Sequence, residues 1–131
     1  MRQLPLFIFA IIALFATMPM TAQARDNHEQ ERIDRIIHMV EVADVLFIRN
    51  GKSYSPDIAS SHLRRKLFFA GSRIKTSDEF LHYIATKSFK SGKPYYVKLK
   101  NGVTMTAFEW ITSKLLAKKQ IVKVDHDVSI Y

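Results

Sequence analysis

Cysteine is absent from all 131 residues. That one absence excludes a disulfide framework, a thiolate metal site, a thiol nucleophile and a lipidated cysteine. Glycine and proline are sparse, at four each, so turns can be placed with few alternatives. Carboxylates thin out along the chain. Asp26 to Asp44 holds six acidic and two basic residues, whereas Leu46 to Lys123 holds sixteen basic and four acidic ones. Long apolar runs are missing outside the first residues, where Leu4 to Ala16 is almost wholly apolar behind Arg2.

The apolar start reads as an export signal. A short basic residue, an apolar stretch too short to span a bilayer, and Ala22-Gln23-Ala24 as a small-x-small site predict a leader over 1–24, cleaved after Ala24. The expected address is the periplasm, with secretion as the alternative. The remaining chain is long enough for one modest core, so a single domain is expected over 25–120, with 121–131 as a tail or an added edge strand.

The charge asymmetry points to an anionic partner, or to complementarity between an acidic first element and a basic body. A solvated Lys/Arg surface is the plainer explanation. For an exported chain, an anionic envelope component or an acidic protein fits better than nucleic acid.

Local signals set the elements. Ile33, Ile36, Ile37, Val40 and Ala43 form one stripe of a 3.6-residue period, predicting a helix over 27–45 capped by Asp26 or Asn27. The stretch from Phe47 to Ala70 predicts two short strands around an Asn50-Gly51 turn, then a helix over 56–70 with Ser55 as cap and Pro56 at its first position. Gly71 should end it. Thr76 with Glu79 and Thr106 with Glu109 are capping boxes for helices over 77–87 and 107–118. Between them Tyr95, Val97 and Leu99 alternate with Tyr96, Lys98 and Lys100, the mark of a half-buried strand, and Asn101-Gly102 turns it back. A hairpin feeding a helix therefore occurs twice. The expected fold is α+β: two β-hairpins in one small, mostly antiparallel sheet, packed by about four helices largely on one face, with four strands or five.

Catalytic and metal signatures are lacking. There is no G-x-S-x-G elbow, and no pair of histidines has zinc-helix spacing. Gly92-Lys93 is no phosphate loop, because Lys87 stands at the first glycine position and Pro94 at the hydroxyl position. Asp125-His126-Asp127 reads as a solvated turn, and Trp110 as core. No cofactor is expected. His62 is the special residue: a core histidine on the flank of the second helix, or an acid or base if a carboxylate joins it. Arg49, Tyr54, Arg64, Arg65, Lys66, Arg73, Lys75 and Lys93 are the candidate contacts for an anionic partner, with Phe69 nearby.

The residues carry a family resemblance. Phe47-Ile48-Arg49-Asn50-Gly51, Tyr54, His62-Leu63-Arg64-Arg65-Lys66, Thr76 with Glu79-Phe80, Ile84-Ala85, Ser88, Ser91-Gly92-Lys93-Pro94-Tyr95 and Trp110 together resemble the YfeK-like family of small exported bacterial proteins of unknown function. The resemblance runs from about Ile33 to Leu116 and brings no known activity or catalytic residue. Family members often carry cysteines where this chain has Val45 and Leu99. The resemblance thus implies that these two positions are neighbours and that their strands lie side by side.

The expected function is a non-catalytic binding or accessory protein of the cell envelope that uses a basic face. The alternatives are a small hydrolase or transferase centred on His62, and an inhibitor of an envelope enzyme presenting a loop such as Ser88–Pro94.

Overall fold

In the computed structural model, which describes residues 24–128, helix α1 (Asn27–Glu41) opens the fold. The Asp26 carboxylate caps it by accepting from the His28 amide at 2.7 Å. Its stripe of Ile33, Ile36, Ile37 and Val40 is fully buried. The leader over 1–24 lies outside the described residues except for Ala24, and no described helix is long and apolar enough to cross a membrane.

Strands β1 (Leu46–Arg49) and β2 (Lys52–Tyr54) form the first hairpin, with Asn50 and Gly51 both at positive φ, 49° and 76°. That pair of signs is what a two-residue primed turn requires. Helix α2 (Pro56–Ala70) comes next at the expected bounds and stops at Gly71, whose φ is 55°. Ser55 occupies the cap position but its hydroxyl makes no cap bond, contrary to the sequence expectation. It is engaged instead with Asp57, whose carboxyl it holds below the ordinary range, with the Ile58 amide as the second cause.

The third helix departs from expectation. Helix α3 (Ser77–Phe80) carries the full Thr76–Glu79 capping box, but the chain then widens into a π turn over Leu81–Ala85. Widening a helix frees carbonyls that need new donors. The Thr86 hydroxyl serves Leu81 at 2.8 Å, and the Lys66 ammonium serves Ile84 at 2.6 Å.

Strands β3 (Tyr96–Lys98) and β4 (Thr104–Thr106) complete one antiparallel sheet in the order β2-β1-β3-β4. Leu46 pairs with Lys98, Phe47 with Val97 and Ile48 with Tyr96. One step further along this register sets Val45 opposite Leu99, the neighbours that the resemblance implied. The second turn differs from the first: only Gly102 is at positive φ, and its amide bonds the Leu99 carbonyl at 3.0 Å. Helix α4 (Ala107–Val128) begins on the Thr106–Glu109 capping box. It continues through the segment expected as a tail or an added edge strand, so no fifth strand forms among the described residues, and 129–131 lie outside them.

Residues alternate across the sheet, and Phe47, Val97 and Tyr95 turn to the helices while Leu46 and Tyr96 stay exposed. The core joins them to Phe80, Ile84, Trp110 and Ile111, with Phe47 and Trp110 meeting edge to face at 5.6 Å. Two large apolar residues of the helices stay outside the core. Ile58 is 53% exposed and Phe108 40%, the latter stacked on His82.

Candidate functional site

The alternation that sends Phe47 inward sends Arg49, two residues on, to the same side. There, between α2 and the first hairpin, a cavity of about 440 Å³ reaches from the surface to the core. Phe47, Leu63, Ala85, Tyr95 and Ile111 supply its apolar depth. Arg49, Tyr54, His62 and Arg65 stand around it.

Arg49 lies over the Tyr54 ring, 5.5 Å from its centroid, and its Nη1 meets the His62 ring, 3.3 Å from Nδ1 and closer still to Nε2. The imidazole can accept from a guanidinium only while neutral. Burial first, then the charges of Arg49, Lys66 and Arg65, push His62 down to about 4. An acid–base role would need a carboxylate beside His62; the structure supplies a cation. The Nε of Arg49 is buried with no hydrogen-bond partner, a costly arrangement for a donor.

Lys66, one of the expected contacts for an anionic partner, is only 7% exposed. Its ammonium donates to the carbonyls of Ile84 and Lys87 and to the Tyr95 hydroxyl, at 2.6, 2.9 and 2.9 Å. The rings of Phe89 and Tyr95 lie 4.5 and 4.8 Å from it. Burial, with Arg49 nearby, lowers Lys66 to about 8. The same burial raises the Tyr95 hydroxyl, while Arg49 opposes that rise.

Among the described residues no carboxylate forms an ion pair with Arg49, Arg65 or Lys66. Asp57 at the cavity lining is occupied with Ser55 and the Ile58 amide. An uncompensated cluster of this kind can hold an anion, and its apolar depth can hold the rest of the same molecule.

The remaining expected contacts are dispersed. Arg64 faces α1 and pairs with Glu41 at 3.6 Å. Arg73 turns back on the end of α2, donating to the carbonyls of Ala70 and Phe69 at 3.1 and 3.0 Å. The Lys75 amide donates to Glu79. Lys93 sits in an exposed loop that is closed by the Ser88 amide on the Lys93 carbonyl and tied to the first turn through Ser91 and Asn50. The acidic α1 thus answers part of the basic body directly, through Glu41 with Arg64, while Asp44 just beyond it pairs with Lys100. No group of His, Asp and Glu among the described residues is arranged to hold a metal.

The chain that carries this small α+β fold and cationic cavity matches a family of unknown function. The model of a family of unknown function (DUF5329) matches residues 27–119, and the chain belongs to that family. It is 37% identical over 89 residues to the uncharacterized protein YfeK of Salmonella typhimurium, an alignment covering 67% of this chain and 73% of that protein. No solved structure matches it.

Proposed function

We propose that this protein is a non-catalytic binding protein of the bacterial cell envelope, exported by residues 1–24, and that its cavity receives an anionic ligand with an apolar body. The observation that carries the reading is Arg49: a guanidinium at an apolar cavity, with a buried, unpartnered Nε and no carboxylate paired to it. A carboxylate or phosphate monoester would meet Arg49 and Arg65, while its hydrocarbon part lies against Phe47, Leu63 and Ile111. Neutral His62 adds a hydrogen-bonding group without adding charge. Its ring meets Arg49, whereas the hydrolase alternative needs a carboxylate or a hydroxyl at that distance.

The test is thermal unfolding with medium-chain fatty acids and alkyl phosphates, set beside alcohols of the same length. The anionic members should raise the midpoint and the alcohols should not, and Arg49→Met should abolish the difference. Equal effects of acid and alcohol, or an unchanged response in Arg49→Met, would refute the reading.

A further inference from the structure

A second surface lies beyond Lys66, toward the C-terminal end of α2. Phe69, Tyr83 and Phe89 line a groove of about 530 Å³, floored by Ala70, Ile74 and Ile84. Phe68 meets Phe69 edge to face at 5.7 Å and lines the adjoining cleft with Leu67 and Gly71. Single exposed rings are ordinary, but these are contiguous and open: Phe68 is 81% exposed, Phe69 70%, Phe89 66% and Tyr83 52%. The carboxylates between the groove's two segments are Asp78 and Glu79, and Glu79 is engaged with the Lys75 and Thr76 amides. From Ser60 to Ser77 and from Phe80 to Phe108 the chain has ten Lys or Arg residues and no Asp or Glu.

We infer that this aromatic face, with Arg73 and Lys87 beside it and Lys90 next to Phe89 in the chain, docks on an anionic lipid surface. Rings supply apolar area for the boundary between headgroups and acyl chains, and the surrounding cations are attracted to anionic headgroups. An acidic protein would meet the same charge, but the cations here lack a geometry directed outward at carboxylates. Arg73 is turned onto its own helix end, and the Lys87 ammonium lies over the Tyr83 ring at 5.4 Å. Diffuse positive charge around open rings suits a fluid headgroup layer better than a fixed set of carboxylates. The inference stands apart from the cavity reading and does not require it.

The experiment is co-flotation of the full chain with phosphatidylcholine vesicles, with and without a quarter phosphatidylglycerol, at low and high salt. The variants are Phe68→Ser with Phe89→Ser, Arg73→Gln with Lys90→Gln, and Arg49→Met, each first checked for an unchanged unfolding midpoint. They share the parent's N-terminal residues, so differences among them report the groove. Binding should need phosphatidylglycerol and weaken with salt. It should fall about fivefold for each cation removed, drop at least as far in the double Phe variant, and persist in Arg49→Met. Binding that ignores the Phe changes overturns the inference. So does loss in Arg49→Met, which would place lipid in the cavity instead. Capture of polyglutamate without vesicle binding would reassign the face to an acidic protein and equally overturn it.

Discussion

The guanidinium of Arg49 on β1 meets both ring nitrogens of His62 on α2, so two residues that are both cations in acid share one side of the cavity. The contact is favourable only while the imidazole is neutral. His62 has a folded value of about 4 against an ordinary 6.5. The unfolded chain therefore binds more protons between those limits, and folding stability falls as pH drops through that window. After discounting for a part-exposed ring, the loss should be roughly 1–2 kcal/mol between pH 7 and pH 4. Urea unfolding across that range measures it, and His62→Gln should flatten the slope. A parent and variant that respond alike would show that His62 is not the titrating group.

Lys66 holds the π turn closed. Lys66→Met keeps most of the volume but leaves the Ile84 and Lys87 carbonyls and the Tyr95 hydroxyl without their donor. We expect a net destabilisation of roughly 1–3 kcal/mol, the lost bonds outweighing the relief of burying a charge. The titration has its own signature. With a folded value of about 8 against an ordinary 10.5, the charge-burial cost is full below pH 8 and is relieved as pH rises toward 10.5. A variant more stable than the parent would show that the ammonium is dispensable to the turn.

Val45 and Leu99 lie opposite one another by extension of the Leu46–Lys98 pairing. Val45→Cys together with Leu99→Cys should form a disulfide on air oxidation and raise stability by about 2–4 kcal/mol. Titration of free thiols before and after oxidation reads the closure. Two thiols that persist under oxidant would place these backbones too far apart and remove the central pairing of the sheet.

The two capping boxes predict matching costs. Thr76→Ala and Thr106→Ala each remove a side-chain acceptor from a Glu amide, Glu79 and Glu109, at 3.1 and 3.2 Å. Each should cost about 1 kcal/mol, and their sites share no partner, so the double variant should cost about the sum. Urea midpoints for the three variants suffice. A neutral Thr106→Ala would mean that α4 does not depend on its cap.

Much of the fold was legible because it is locally encoded. The isoleucine stripe of α1, the Asn50-Gly51 turn, Pro56 at the start of α2, Gly71 at its end and both Thr–Glu boxes depend on neighbours within a few residues. Each appeared where expected. The C-terminal stretch, expected as a tail or an added edge strand, instead continues the helix begun at Ala107 as far as Val128, because a helix once started gains one hydrogen bond for each further residue it fixes.

The site was legible in its residue types and not in its arrangement. Arg49, Tyr54, His62 and Arg65 were singled out as basic or special, and they do surround one cavity. Arg64 and Arg73 carry the same charge but are occupied by Glu41 and by the end of their own helix. Nothing local distinguishes these two groups.

The sequence by itself determined where the chain turns, where its helices start and stop, and which stripe of α1 must be buried, since those outcomes stem from backbone preference and apolar spacing. Only the tertiary structure decided that Lys66 is buried and that His62 faces a guanidinium. Both depend on where α2 comes to rest against β1 and the π turn. Contacts between residues distant in the chain fix a side chain's solvent access, and with it its charge.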